Sequence, residues 1–326
     1  MSFESDFLVD RRRIRRKLTF WRAISALVVI AAVIGLTAAL APSARQAITG
    51  SEAIARVKIE GLIRSNDERV AALERLGKSK AAAVIVHINS PGGTTAGAEQ
   101  LFDALTRLKA KKPLVVVVEG LAASGGYIAA LASDHIIAQQ TSLVGSIGVL
   151  FQFPNFSELL KTVGVKVEEV KSAPLKAAPN GYEPTSPEAR AALDALVKDS
   201  FAWFKGLVKT RRQMDEAALQ VVSDGRVFTG RQAVGLKLID ELGDEKTAVK
   251  WLQAQNKIKG ELPVRDYKLS PRFSDMTFLR TATEATLRAL GLETFARIVG
   301  GSGVGGVAER LELEGMLALW QPAGSN

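Results

Sequence analysis

The sequence predicts an α/β fold in which parallel strands are joined by helices. From residue 54 onward, short apolar, β-branched segments alternate with helix-like segments of about ten residues. Strands that alternate with helices in this way form right-handed βαβ crossovers. The segments 82–88 and 114–119 are nearly continuous apolar runs bounded by turn residues, which is typical of buried strands. No break divides this region, so residues 54–257 are expected to form one domain.

The elements follow from hydrophobic spacing and from their turn residues. Ser186-Pro187 gives a helix start, and the apolar residues after it recur near helical spacing, so one long helix is expected over 185–212. The other helices are predicted at 66–76, 94–109, 125–131 and 155–163, and the strands at 54–60, 82–88, 114–119, 136–138 and 165–170.

Residues 258–326 are expected to form a C-terminal helical extension of unknown role. Amphipathic patterns predict helices at 276–290 and 308–320, separated by the glycine-rich run 300–306. That run has no preceding strand and no following Gly-Lys-Ser/Thr, so a hinge is favoured over a phosphate-binding loop.

The N-terminus predicts a membrane anchor. Residues 23–41 are an uncharged run of 19 residues, and a helix of that length is about 29 Å long, close to the ~30 Å of a bilayer's hydrocarbon core. Phe20 and Trp21 lie at its start, as interfacial residues do. The basic tail 1–22 is expected to stay in the cytoplasm, which sends the linker 42–53 and everything after it to the other face of the membrane. The alternatives are a cleaved signal peptide, because Ala39-Leu40-Ala41 has the small-x-small form, and a buried core helix; Pro42 disfavours cleavage.

Composition excludes several classes of function. The chain carries a net charge of +9, but +4 of it lies in residues 1–22, and the other basic residues are scattered among acids. Nucleic acid is therefore not an expected partner. With no cysteine and only two histidines, the sequence offers no disulfide, no thiolate nucleophile and no His-rich metal centre, and no cofactor is expected.

Ser124 is a candidate nucleophile. It lies in Gly120-Leu-Ala-Ala-Ser-Gly-Gly-Tyr127, between a predicted strand and a predicted helix. Small neighbours permit a sharp turn that leaves the hydroxyl uncovered, and the amides that follow open a helix, where an oxyanion can be held. Small residues at such a turn also serve packing alone.

A second glycine turn, Asn89-Ser-Pro-Gly-Gly93, ends the strand 82–88. Its glycines permit close approach of a ligand to backbone amides at the sheet edge where α/β folds place their sites. A tight structural turn is the alternative interpretation.

The base for Ser124 is not evident from position alone. His135 follows the helix after Ser124, and His87 lies within a strand, so both are interpreted as structural. Lys176 lies in an irregular stretch, and a lysine can activate a serine. Exposed lysines in loops are usually only solvated, which is the competing interpretation.

The ordered motifs supply the context. Together they resemble the short form of the bacterial signal peptide peptidase A family of serine peptidases, which includes SohB-like proteins, over about residues 54–255. The motifs are Asn89-Ser-Pro-Gly-Gly93, Ala122-Ala-Ser-Gly-Gly-Tyr127, Thr141-Ser-Leu-Val-Gly-Ser-Ile-Gly148, Lys171-Ser-Ala-Pro-Leu-Lys176 and Asp224-Gly-Arg-Val-Phe-Thr-Gly-Arg-Gln-Ala-Val-Gly-Leu236.

The resemblance implies a role for individual residues. Ser124 matches the nucleophile, Lys176 the general base, and Ser146 a hydroxyl that hydrogen-bonds the lysine amine. The oxyanion site is implied at Gly92 or Gly93 together with Gly125. The chain departs from the family's usual residues at Ala173-Pro174, at Ala177 and at the two histidines. The first two departures bear on the geometry of the loop that carries Lys176, and none of them changes the reaction mechanism.

The resemblance also implies a fold and an assembly. The family fold is a spiral of βαβ units like that of the ClpP/crotonase group, and short members form ring-shaped homo-oligomers in which serine and lysine can come from adjacent subunits. A lysine with the ordinary pKa of about 10.4 is almost fully protonated near pH 7, so this chemistry needs a desolvated amine.

The sequence therefore predicts a serine endopeptidase with a Ser-Lys dyad, anchored in the bacterial cytoplasmic (inner) membrane with its catalytic domain on the outer face. Apolar peptides such as remnant signal peptides are the expected substrates. The alternatives are a SohB-like quality-control protease, a catalytically silent membrane scaffold on the same fold, and a crotonase-type hydratase, which the absence of paired glutamates disfavours.

Overall fold

The structure, a computed structural model, describes residues 21–22, 52–269 and 317–319; for the last three, only the backbone is described. The chain divides into two units, Met1–Ser51 and Glu52–Asn326. Among the described residues, no helix is both long and apolar enough to cross a bilayer. The predicted anchor at 23–41 lies outside the described residues, as does the predicted helix at 276–290.

The second unit is built on one nine-stranded mixed sheet. The strands are β1 (Ala53–Ile63), β2 (Ala81–Thr94), β3 (Leu114–Ala123), β4 (His135–Ala138), β5 (Leu143–Gly145), β6 (Val227–Thr229), β7 (Glu241–Leu242), β8 (Val264–Asp266) and β9 (Leu317–Leu319).

Eight helices are described in the same unit, numbered in chain order. They are α1 (Asp67–Gly77), α2 (Thr95–Lys109), α3 (Gly125–Ala130), α4 (Ser157–Thr162), α5 (Pro187–Arg212), α6 (Glu216–Val222), α7 (Gly230–Gly235) and α8 (Glu245–Ala254).

The centre of the sheet confirms the predicted parallel crossovers. The order β5-β3-β2-β1-β8 is parallel throughout, and β3 also pairs with β4 in parallel. Within the described residues, β6 on β5 and β9 on β2 are the antiparallel pairs. The carboxyl ends of β2, β3 and β5 therefore meet at one edge, and that edge positions the candidate site.

Alternation along the strands separates two cores, one on each face of the sheet. Val84, Val86 and Ile88 belong to the larger core, whereas Ala83 and Ile85 belong to the smaller one. This is the period-two pattern of a strand that is covered on both sides. The larger core is closed by α2, α3 and the carboxyl-terminal half of α5, and the smaller one by α8.

Helix starts follow the sequence signals. The Ser186 hydroxyl accepts a hydrogen bond from the Ala189 amide at 3.1 Å, and Pro187 occupies the first turn of α5. The Thr94 hydroxyl accepts from the Gly97 amide at 3.1 Å and so starts α2 directly after β2.

Two sequence predictions are wrong. No strand forms at 165–170, where the backbone is irregular and Val165, Val167 and Val170 are exposed. The alternating valines fit a strand, but a strand needs a hydrogen-bonded neighbour to be stable. In the range 308–320, predicted as a helix, Leu317–Leu319 is instead a strand that pairs with Gly92–Thr94 of β2.

Candidate active site

Ser124 lies at the junction of β3 and α3 in a strained backbone conformation. It directly follows the last strand residue, Ala123, and precedes the first helical residue, Gly125, with φ 53° and ψ −117°. A positive φ at a residue other than glycine costs on the order of 1–3 kcal/mol, and such residues are enriched at functional sites. Here it produces the sharp strand-to-helix turn that the sequence predicts, of the kind that presents the nucleophilic serine in α/β-hydrolases.

Ser146 lies beside Ser124 because their strands are neighbours. Ala123 of β3 is paired with Gly145 of β5, and the Ser124 amide donates to the Gly145 carbonyl oxygen at 2.8 Å. Ser146 also has a positive φ, of 50°, and its amide donates to the carbonyl oxygen of Arg226 at 2.8 Å. Two buried serines with left-handed backbones thus stand at the carboxyl ends of adjacent parallel strands.

The glycine turn predicted at 89–93 lies within the carboxyl end of β2, where the strand register shifts against β1 and β3, and it packs closely against the same edge. Gly92 has a φ of +103°, and a Cβ atom on Gly93 would lie 1.8 Å from the carbonyl oxygen of Ile63. On the helix side, a Cβ atom on Gly126 would lie 2.7 Å from the carbonyl oxygen of Ser90. The backbones of the turn and of the start of α3 are therefore in contact, as an oxyanion site shared by the two would require.

Ser90 shapes this turn, a role that sequence reasoning missed. Its hydroxyl donates to the Gly61 carbonyl oxygen at 2.6 Å and accepts from the Gly92 amide at 3.1 Å. The serine is fully buried, so both bonds are made away from solvent. Its position inside the Asn89-Ser-Pro-Gly-Gly93 motif was the available signal. The Gly125 amide, at the first position of α3, has no acceptor within its own helix, which is general for helix starts.

The β9 strand pairs with this turn from the other side. Leu319, Ala318 and Leu317 are opposite Gly92, Gly93 and Thr94, in antiparallel register. The end of β2 therefore accepts an extended segment as a further strand.

Lys176 is not brought to Ser124 within the chain. The Ser124 hydroxyl is buried, and no hydrogen-bonding group among the described residues contacts it. Lys176 is exposed, in a turn where its own amide donates to the Ala173 carbonyl oxygen at 3.0 Å and the next residue, Ala177, has a φ of 58°.

The segment that carries Lys176, residues 150–183, is here named the lysine arm. It has one short helix, α4, and little other regular structure. Its apolar side chains are exposed to an extent that is unusual for a folded chain. They are Leu150, Phe156, Leu159, Val163, Val165, Val167, Val170, Leu175 and Tyr182.

Both histidines have partners of their own, which agrees with a structural role. His87 contacts Glu119 through Nδ1 at 2.7 Å and Glu245 through Nε2 at 2.8 Å. His135 stacks on Trp251 with ring centroids 4.6 Å apart.

A network of ion pairs extends from His87 across the sheet. The Arg56 guanidinium binds both Glu245 oxygens, at 2.5 and 2.6 Å, and Asp266 at 2.8 Å. The hydrogen bond from Arg56 is the main cause that holds the pKa of Glu245 below its usual range, with smaller help from His87. Arg56 and Glu245 are 189 residues apart, and no local pattern could have paired them.

Comparison with known proteins places the chain in a family. The model of peptidase family S49 matches residues 106–259, and that of the Clp protease family matches residues 61–142. The Clp protease match supports the predicted fold class, since it covers the parallel strands β2, β3 and β4 and the helices α1, α2 and α3.

Several curated proteins are similar to the chain. A protein of Synechocystis sp., named as a candidate protease, is 35% identical over 200 residues, which cover 61% of this chain and 72% of that protein. Protease 4 of Haemophilus influenzae is 28% identical over 66% of this chain and 37% of its own length. A chloroplast serine protease of Arabidopsis thaliana, named SPPA, is 30% identical over 56% of this chain and 27% of its own length.

Proposed function

The chain belongs to peptidase family S49, a family of serine peptidases, and we propose that it is a membrane-anchored endopeptidase with Ser124 as nucleophile and Lys176 as general base. The observation that carries the proposal is the strained Ser124 turn, with Ser146 and the Gly92-Gly93 turn at the same sheet edge. Strain of this kind persists only where the surrounding fold enforces it.

Lys176 is proposed to reach Ser124 from a neighbouring copy of the chain. Ser124 Oγ has no hydrogen-bond partner within the described residues, while Lys176 lies on an arm whose apolar side chains are exposed. Covering that apolar surface with a second copy would bury it and desolvate the amine together. A ring-shaped homo-oligomer repeats this contact around a closed symmetry.

The chemistry follows the usual order for a serine nucleophile. The neutral Lys176 amine accepts the Ser124 proton as Oγ attacks the peptide carbonyl carbon, and the oxyanion is held by backbone amides at Gly125 and the Gly92-Gly93 turn. The protonated amine then gives its proton to the leaving nitrogen. The same amine activates water to release the acyl group, and Ser146 orients the amine throughout.

The proposed substrates are apolar peptides such as remnant signal peptides. The proposed anchor at 23–41 supports this, because it would hold the catalytic unit at the outer face of the cytoplasmic membrane, where such peptides are released. The end of β2 supports the binding of an extended chain, since β9 pairs there as an added strand.

Single substitutions test the dyad. Ser124→Ala and Lys176→Ala should each lower cleavage of a fluorogenic apolar peptide by the detergent-solubilised full chain by about 10³-fold or more, because both groups act in one proton-transfer unit. Lys161→Ala, on the same arm, serves as the matched control and should stay within about twofold of the parent.

Labelling by a fluorophosphonate separates the proposed peptidase from a silent scaffold. The parent should carry the adduct on Ser124, and Ser124→Ala should not react. Full cleavage by Ser124→Ala or Lys176→Ala would refute the assignment, as would a parent chain that neither reacts nor cleaves.

A further inference from the structure

The loop that presents Lys176 is closed by a small group of charged and amide side chains. Lys171 stands at the start of the loop, five residues before Lys176, and Asn180 stands four residues after it. Lys171 Nζ lies 2.6 Å from Glu169 Oε2 and 2.6 Å from Glu183 Oε1. One ammonium therefore joins carboxylates from both sides of the loop.

Asn180 completes this closure. Its Nδ2 donates to Glu183 Oε1 at 3.0 Å and contacts Glu169 at 3.3 Å, and its Oδ1 accepts from the amides of Tyr182 and Glu183 at 2.9 and 3.1 Å. We name Lys171, Glu169, Glu183 and Asn180 the loop clamp.

We propose that the loop clamp is the positioning device for the Lys176 amine, a role that rests on the proposed dyad. The clamp fixes the two ends of a ten-residue loop, while the turn inside it is held by only two backbone hydrogen bonds, from the amides of Lys176 and Ala178. A base must sit within about 3 Å of the proton that it accepts, so a loop with free ends would lose rate.

Lys171 differs from an isolated surface ion pair in its burial and in the number of its partners. The Lys171 side chain is only 17% exposed, and its ammonium has two carboxylate partners. The hydrogen bond that Lys171 donates to Glu169, and then the one that it donates to Glu183, raise the pKa of Lys171, so this lysine stays charged where Lys176 must become neutral. Networks of this kind share the entropic cost of ordering among several bonds, whereas a single exposed pair contributes little.

The rest of the lysine arm offers little else to hold the loop. The backbone on either side of Lys176 is irregular, and the nearest helix of the arm, α4, ends at Thr162. Two residues near the start of the arm bind the end of the loop, which follows Lys176 in the chain. The Asn155 side chain donates to the Glu183 carbonyl oxygen at 2.9 Å, and the Phe156 amide donates to the Gly181 carbonyl oxygen at 2.8 Å. These bonds hold Glu183 against the start of the lysine arm. Because Glu183 also binds Lys171, the loop clamp connects the loop to the rest of the arm.

The test replaces Lys171 and follows kcat and KM separately. Lys171→Met in the full-length chain should lower kcat by at least about tenfold and change KM by less than about twofold, because the substrate edge is untouched while the base is misplaced. Lys171→Arg should retain most of kcat, since a guanidinium can still join both carboxylates. Glu183→Gln should lower kcat in the same direction as Lys171→Met.

Lys161→Met is the matched control, since Lys161 forms an exposed 2.7 Å ion pair with Glu158 on the same arm but outside the loop. It should leave kcat unchanged. The thermal midpoint and the oligomer size of each variant show whether the arm still folds and assembles.

Several outcomes would overturn the inference. They are a kcat for Lys171→Met within twofold of the parent, an equal loss in Lys161→Met, and a loss in Lys171→Arg as large as in Lys171→Met. Failure of the proposed function is distinguishable, because Ser124→Ala and Lys176→Ala would then remain active. Inactive dyad variants together with a fully active Lys171→Met would reject the clamp alone.

Discussion

Gly93 shows at the residue scale how the candidate site constrains the sequence. The carbonyl oxygen of Ile63 occupies the space where a Cβ atom would be. The obstacle is backbone, which cannot rotate away as a side chain could. The glycine is therefore required by the packing of β1 against the turn, whether or not its amide holds an oxyanion.

Gly93→Ala is expected to destabilise the fold by at least about 2 kcal/mol, because the added methyl group would force β1 and β2 apart. Gly206→Ala is the control: it lies on the exposed side of α5 with no atom within 4 Å of the added Cβ. It should stabilise the chain by about 0.5–1 kcal/mol, as alanine does in a helix. Urea unfolding measures both, and equal stabilities for the two variants would contradict the packing argument.

Ser124 and Lys176 differ in how far the sequence could identify them. The strand, small residues and helix around Ser124 are contiguous, so a local pattern predicted both the turn and the helix at Gly125–Ala130. Lys176 has no local pattern that separates it from a solvated lysine, and its assignment came only from resemblance. The structure places it on the exposed arm, away from any contact with Ser124 Oγ.

At the scale of elements, the central βαβ units were predictable because their information is local. The apolar runs of β2 and β3 and the caps of α2 and α5 are each visible within about fifteen residues. The short strands β5, β6 and β7 were not predictable, because each has only two or three residues and depends on partners that are distant in the chain. The strand predicted at 165–170 is absent for the opposite reason. Its residues alternate as in a strand, but no strand among the described residues pairs with them.

The Arg56–Glu245 pair ties α8 to the sheet and should make stability depend on pH. The pKa of Glu245 is lowered in the folded state, chiefly by Arg56, so its contribution is fully present above the ordinary carboxyl pKa of about 4.3. That contribution is lost as pH falls through the lower folded-state value.

Glu245→Gln should therefore cost about 1–3 kcal/mol near pH 7, since it removes the charged acceptor of Arg56 and a partner of His87. The difference in the free energy of unfolding between the parent and the variant should narrow as pH falls from about 5 to 3. Urea unfolding across this range measures it, with Glu158→Gln as an exposed control that should show no such gap. A gap that stays constant with pH would contradict the role given to Glu245.

At the scale of the whole molecule, the proposed activity depends on assembly. In one copy, the proposed nucleophile Ser124 has no hydrogen-bond partner for its hydroxyl among the described residues, and the proposed base lies on an arm with an exposed apolar surface. These two features are complementary only if a second copy covers the arm of the first. The catalytic unit would then be an interface between subunits.

Mixing inactive subunits tests this claim most directly. Ser124→Ala keeps the lysine and Lys176→Ala keeps the serine, so an interface between the two can hold one intact pair. Co-assembly in equal amounts should restore peptide cleavage in about a quarter of the sites if neighbours mix at random around a closed ring. Each variant alone should be inactive. Mixed rings, verified by differently tagged subunits, that stay as inactive as either variant would contradict a dyad shared between subunits.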